Sequence, residues 1–347
     1  MIAEQTEIPA RPPSGETLLS IIVAFYNEER AIDALFRELD IVTAALSCRV
    51  EFVCVNDGSR DLTLGALREK QKQDPRIRIV NFARNFGKEA ALTAGLAHAR
   101  GDAVVVIDAD LQDPPSLIPQ FVDKWREGYD VVYGVRSTRT SDTFLKRFTA
   151  NAFYRVFNRV TDVKIPPGAG DFRLLDRRAV DALLELPERN RFMKGLFSWV
   201  GFRQTGVEFV RDARVAGKTS WNYLRLFNFA IDGITSFSIA PLRIASLVGV
   251  VSSILGFIYA AYLTMRTIIF GVDVPGYASI MVVTMFLGGM QLICLGLIGE
   301  YLGRLYIEAK GRPLYIIADI YEADSTAEAN AAISAEPSRQ SPLRSGG

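Results

Sequence analysis

The sequence predicts an α/β protein, a mostly parallel sheet with helices on both faces, followed by a two-helix transmembrane hairpin. Three observations predict it. Apolar, β-branched runs begin near Leu19, Val50, Ile77, Ala103 and Val131, at intervals of 31, 27, 26 and 28 residues. Each interval holds one strand and one helix, the rhythm of a parallel sheet with crossover helices. Ile244–Met265 and Ala278–Gly299 are each 22 residues without a charge. At about 1.5 Å per residue each reaches roughly 33 Å, enough for a hydrocarbon core of about 30 Å. Finally, the run Val104–Ile107 ends abruptly in Asp108-Ala109-Asp110-Leu111-Gln112-Asp113. A strand covered on both faces is delivering acids to its own tip.

The elements follow in order. Met1–Thr17 is rich in Pro and Glu, lacks the apolar core of a signal peptide, and is expected to be disordered. The domain proper is expected over 18–220. Its first strand ends in Ala24-Phe25-Tyr26-Asn27-Glu28-Glu29, with a helical pattern over Glu28–Leu46. The second ends in Asn56-Asp57-Gly58-Ser59 and leads to a helix over Leu62–Gln73. The third leads to Arg84-Asn85-Phe86-Gly87-Lys88 at the start of a helix over Lys88–Arg100, where free amides and a lysine favour an anion. The fourth carries the acids and precedes a helix over Ser116–Glu127. Each fragment alone is a common turn or helix start. At four successive strand ends they converge on one crevice, where ligands of open α/β sheets collect. Asp108 and Asp110 can share a hard divalent cation, Mg²⁺ or Mn²⁺, of the kind that holds a diphosphate. Asp113, before Pro114, serves equally well as a turn residue. Carboxylates for a ribose or base, a metal pair and a lysine together describe a nucleotide-diphosphate pocket.

Composition removes the competing classes. A net charge of +1 over 347 residues gives a nucleic-acid role no global support. Cys48, Cys54 and Cys294 form no close ligand pair, and a single histidine, His98, excludes any mechanism that needs two. No Gly-x-Gly-x-x-Gly follows the first strand and no phosphate loop ends in Gly-Lys-Ser/Thr, which disfavours nicotinamide enzymes and P-loop NTPases. An Asp-x-Asp phosphatase would carry Thr or Val where Gln112 stands. A processive polysaccharide synthase would show Gln-x-x-Arg-Trp and more spans. A silent membrane scaffold or sugar-nucleotide sensor is the non-enzyme alternative, and intact acids at all the expected positions count against it.

The membrane part extends this reading. Near the hairpin, Arg225, Arg243, Arg304, Lys310 and Arg312 lie outside it and Arg266 alone lies in its loop. Basic residues stay on the cytoplasmic side, so the large domain and both termini are expected there. From Glu188 to Arg225 eight basic residues face three acids, a +5 skirt suited to anionic headgroups. Trp221, Tyr223, Phe227, Phe229 and Phe237 suit an interfacial helix over 221–241. The hairpin is expected over 242–302, a juxtamembrane segment over 303–321, and a disordered tail over 322–347.

In the motifs Phe25-Tyr26-Asn27-Glu28-Glu29, Asn56-Asp57-Gly58-Ser59, Arg84-Asn85-Phe86-Gly87-Lys88, Asp108 to Pro115 and Gly170-Asp171-Phe172-Arg173-Leu174, the chain resembles the family-2 glycosyltransferases of the GT-A fold. With its two terminal helices and Gly296-Leu297-Ile298-Gly299-Glu300-Tyr301-Leu302-Gly303-Arg304, it is similar to the bacterial polyprenyl-phosphate (bactoprenol) glucosyltransferases and, more distantly, the dolichol-phosphate mannosyltransferases. The resemblance spans Leu18–Ile317. One departure is Ala24, where the family commonly has proline.

The resemblance implies transfer of a sugar, with glucose the first expectation, from a UDP-sugar to undecaprenyl phosphate at the inner membrane of a bacterium. The alternative is the same reaction with another sugar or with GDP-mannose as donor. Phe25, Tyr26, Glu28, Asp57, Lys88 and Asp108 would hold the donor nucleotide, and Asp108, Asp110 and Gln112 the metal. Arg136, Arg147 and Asn151 would grip the acceptor phosphate, with Arg211 and Arg214 able to reach either phosphate. Asp171 and Asp110 are the expected catalytic carboxylates. Association through the hairpin, a flippase and downstream glycosyltransferases are the partners implied. A lipid monophosphate already carries a nucleophilic oxygen near neutrality, so Asp171 is expected to orient more than deprotonate, and direct attack would invert the anomeric centre.

Overall fold

The computed structural model describes residues 11, 15–136, 155, 157–161, 163–166, 168–189, 191–209, 233, 235–271 and 276–322. In chain order the elements are β1 (Leu18–Phe25), α1 (Ile32–Ala44), β2 (Arg49–Asn56), α2 (Thr63–Gln73), β3 (Ile77–Phe82), α3 (Lys88–His98), β4 (Ala103–Asp108), a 3₁₀ turn (Pro115–Leu117) and α4 (Ile118–Arg126). They continue with β5 (Val131–Arg136), β6 (Ala169–Asp176), α5 (Arg177–Glu185), α6 (Met193–Trp199), β7 (Gln204–Phe209), α7 (Ala240–Phe270), α8 (Tyr277–Ala309) and β8 (Ile317–Tyr321). The described residues divide into two compact units, one over 11–119 and 315–322 and the other over 120–209 and 233–314.

In the first unit the strands run β4-β1-β2-β3-β8. The first four are parallel and β8 is antiparallel to β3. Ile21, Ile22 and Val23 of β1 and Val104–Ile107 of β4 are fully buried, as β-branched runs covered on both faces must be. α1 buries Ile32, Leu35, Phe36, Leu39 and Val42, one helical stripe in which each side chain contributes roughly 1.5–3 kcal/mol. α2 ends at Gln73, and the extended Asp74 that caps it immediately precedes Pro75. α3 buries mostly small residues, Ala90, Ala91, Ala94 and Gly95. A Cβ on Gly95 would run into the side chain of Ile22, so the glycine sets how closely α3 lies on β1. The register aligns the strand ends: Phe25 pairs with Asn56, Asn56 with Asn81, and Ala24 with Asp108. The tips expected to converge do share one edge.

The second unit orders its strands β7-β5-β6, with β5 parallel to β7 and antiparallel to β6. Phe121, Phe172 and Phe209 form an aromatic row through its core, with ring centroids 4.7 and 6.5 Å apart. The indole N–H of Trp125 donates to Asp176 at 2.8 Å, and Asp176 also caps α5 by accepting the Arg178 N–H at 3.0 Å. Sequence reasoning foresaw neither β6 nor β7.

α7 and α8 are apolar all round and their windows of highest hydropathy carry no buried residues, so both are long and apolar enough to cross a membrane. They exceed the uncharged runs. α7 holds 31 residues and α8 33, and Arg266, expected in the connecting loop, lies inside α7. At their base the Tyr301 hydroxyl donates to the carbonyl of Ser238 at 2.6 Å, and Arg304 pairs with Glu300 at 2.7 Å. The interfacial helix expected over 221–241 falls largely outside the described residues, as do the two terminal segments.

Candidate active site

The tips of β1 and β2 are latched to each other. Asn27 donates its N–H to Ser59 Oγ at 3.0 Å and accepts the Arg60 N–H on Oδ1 at 2.8 Å. The Glu28 N–H reaches Thr63 Oγ1 at 3.0 Å, and Glu29 Oε2 accepts the Leu62 N–H at 3.1 Å. These bonds, across 32 to 35 residues of chain, engage the backbone of Asn27 and Glu28, and α1 starts at Ile32 and not at Glu28. Asn27 is left-handed (φ 55), a cost its side-chain bond offsets. Tyr26 is 43% exposed and available to a ligand. Phe25 differs: its ring is fully buried in the core.

Asp57 is 3% exposed, and both its oxygens are engaged. Oδ1 accepts the Phe86 N–H at 2.6 Å, while Oδ2 accepts the Gly87 N–H at 3.0 Å and Asn85 Nδ2 at 2.9 Å. The Phe86 and Gly87 amides just before α3 therefore bind this internal carboxylate. Burial raises the Asp57 pKa, and the Phe86 and Gly87 amides with Arg84 pull against that rise. Asp57 thus shapes the loop 84–88. Gly58 (φ 60) makes room for it, since a Cβ there would lie 2.5 Å from Asn85 N. A cavity of about 570 Å³ lies away from these tips, lined by Asp40, Lys70 and Arg76, while one of about 420 Å³ opens between the β2 and β3 tips, lined by Asn56, Ser59, Arg60, Asn81, Arg84 and Asn85.

Lys88, the first residue of α3, places Nζ 2.7 Å from Oδ1 and 2.8 Å from Oδ2 of Asp108. Asp110 Oδ1 accepts the Gln112 N–H at 3.2 Å, a tight turn that puts Leu111 in the left-handed region (φ 56). A branched side chain there costs roughly 1–2 kcal/mol, a strain typical of ligand-handling loops. Gln112 and Asp113 are 7% and 2% exposed. Among the described residues no three His, Cys, Asp or Glu side chains gather as a metal cage. Two carboxylates on one short turn instead fit an ion such as Mg²⁺, which takes one or two protein carboxylates and completes its shell from water and phosphate oxygens.

In the second unit, Asp171 lies on β6 with Lys194 Nζ 3.9 Å from its carboxylate. Its neighbour Arg173 is buried, donates to the Gly170 carbonyl at 2.5 Å and stacks 3.9 Å over the Phe197 ring. Arg136 ends β5, opposite Phe209 in register. Arg147, Asn151, Arg211 and Arg214 lie outside the described residues. Sequence reasoning missed the latch residues Ser59 and Thr63, and also Asn85, Asn81 and Lys194. Ser59 and Asn85 carried a signal, because each lies within a motif singled out at a strand tip.

Residues 20–184 match Glycosyl transferase family 2, and residues 240–305 match the GtrB C-terminal hairpin. The chain is 56% identical over 303 residues to an uncharacterised glycosyltransferase of Synechocystis sp., covering 87% of this chain and 95% of that one. It is 48% identical over 299 residues to a prophage bactoprenol glucosyl transferase homolog of Escherichia coli, covering 86% and 98%. It is 46% identical over 299 residues to the bactoprenol glucosyl transferase of Shigella phage SfV, covering 86% and 97%. The chain belongs to glycosyl transferase family 2, a glycosyltransferase whose mostly parallel GT-A-like domain is followed by a GtrB-type hairpin.

Proposed function

We propose that this enzyme moves glucose from UDP-glucose to undecaprenyl phosphate at the cytoplasmic face of a bacterial inner membrane, inverting the anomeric centre and using a divalent cation. The observation that carries the reading is the Asp108–Asp110 turn at the tip of β4, facing Lys88 at the start of α3. Relatives named bactoprenol glucosyl transferases, matched over most of their length, support the sugar and the acceptor. The hairpin supports a membrane-borne acceptor.

Each residue then has a task. Asp108 and Asp110 hold the cation, which when bound offsets charge growing on the departing diphosphate. Tyr26 and Glu28 border the nucleoside, and Asp57 keeps the loop 84–88 in shape beneath it. Arg136, Arg147 and Asn151, with Arg211 and Arg214, hold the acceptor phosphate. That phosphate is already ionised near neutral pH and needs no strong base, so Asp171 orients it, with Lys194 steadying the carboxylate. Radiolabelled UDP-glucose and undecaprenyl phosphate test the assignment. Asp110→Asn is expected to lose all metal-dependent label transfer while the protein stays in the membrane fraction. Wild-type transfer by that variant overturns the assignment.

A further inference from the structure

Lys88 and Asp108 are paired at the point where a cation is needed. The ammonium sits 2.7 and 2.8 Å from the two oxygens of Asp108, the bidentate position that a small cation would take. Yet the pair is open to solvent, with the lysine side chain 40% and the aspartate 30% exposed. Exposed pairs of this kind favour closure by about fivefold at most, so little is lost in opening it.

The backbone of Lys88 does not share that freedom. Gly87 begins the helix at φ 97, and its N–H and that of Phe86 are clamped by Asp57. The lysine is thus a cation on a flexible four-carbon stem fixed to a rigid base. The same helix start is electropositive and favours an anion beside it.

We propose that Lys88 is a displaceable counter-cation that holds Asp108 until the donor arrives and then transfers its charge to the diphosphate, making metal binding depend on nucleotide binding. The inference rests on the donor and metal roles proposed for Asp108 and Asp110. In the nucleotide-free enzyme a divalent ion has to displace or sit beside the ammonium. With the diphosphate present, the ammonium has an anion to move to and Asp108 is released to the metal. Metal and nucleotide therefore bind with positive coupling, and by linkage each raises the affinity of the other by one common factor.

Removing the ammonium should act in opposite directions on the two ligands. A side chain that merely supported the fold would weaken both. Full-length protein in detergent is titrated with Mn²⁺, the free ion being read by electron paramagnetic resonance, with and without UDP. Lys88→Met is expected to bind Mn²⁺ alone about three- to tenfold more tightly than wild type, since a like charge within a few ångströms of the ion is gone. UDP should bind it more weakly, and the UDP-induced gain in Mn²⁺ affinity should shrink by a similar factor. Lys88→Arg, which keeps the charge, should stay close to wild type, and Asp108→Asn should lose tight Mn²⁺ binding in both conditions. Equal Mn²⁺ affinity of Lys88→Met and wild type without UDP, with the UDP effect intact in both, overturns the exchange and leaves the donor reading standing. Absence of Mn²⁺ binding by wild type even with UDP overturns both.

Discussion

Gly58→Ala probes the site where the backbone is tightest. The added Cβ would lie 2.5 Å from Asn85 N and 2.7 Å from Arg84 Cα, and both are main-chain atoms that cannot swing aside as a side chain does. The alanine would also have to hold φ near 60, which costs roughly 1–2 kcal/mol for a residue with a Cβ. Relieving the overlap by shifting the loop adds about 1–3 kcal/mol, the range found for overpacked sites. The expected destabilisation is therefore about 2–5 kcal/mol, a large share of a typical domain's stability. The shift also pulls Asn85, Phe86 and Gly87 from Asp57, leaving a buried carboxylate short of donors. UDP affinity should fall by at least about tenfold, equivalent to about 1.4 kcal/mol. Thermal unfolding in detergent and calorimetric titration with UDP read both effects. Gly65→Ala is the control, because a Cβ there meets nothing within 4 Å and a helical position gains from alanine. A Gly58→Ala protein with wild-type melting temperature and UDP affinity would refute the reasoning.

Two further expectations follow from buried partners. Trp125→Phe replaces a buried indole with a smaller phenyl and removes the N–H that reaches Asp176 at 2.8 Å, so it should cost at least about 1–3 kcal/mol in denaturant unfolding; a neutral result would mean that the Asp176 oxygen finds another donor and the space is refilled. His98 has its pKa lowered, by burial first and by the charges of Arg78 and Arg100 next, with Glu322 opposing. Its neutral form is thus the folded form, and its contribution is complete above the unfolded value of 6.5 and lost as pH falls through that value toward the lower folded one. As the one histidine of the chain it gives a single imidazole resonance, which should titrate below 6.5. His98→Gln should lessen the fall in stability between about pH 7 and 5; an unchanged slope would assign that fall to the carboxylates.

The parallel core was legible because buried strands such as Val104–Ile107 are written in unbroken β-branched residues. The strand-tip motifs were legible because acids and amides interrupt those runs at once. β6 was hidden by Asp171 and Arg173, polar residues of a strand whose burial depends on partners such as the distant ring of Phe197. β7, Gln204–Phe209, holds a glycine and three polar residues and reads as a loop. The role of Asp57 could not be read either: its donors lie 28 to 30 residues away, and sequence does not say whether a carboxylate will meet a ligand or its own chain. For the membrane helices, charge marked where hydropathy stops but not where helix stops, so Arg243 and Arg266 lie inside α7.

The last strand of the sheet bears on how the protein is made. β8 pairs with β3, and Asn81 meets Asp319 across 238 residues of chain. The outer edge of β3 therefore stays open on the ribosome until both apolar helices have been synthesised. An open parallel edge invites pairing with other nascent chains, and the hazard lasts for the whole interval. Delivery of the hairpin to the bilayer and closure of the sheet are consecutive events in biosynthesis, and a chain stalled at the membrane would leave the ribosome with its nucleotide half still lacking its border.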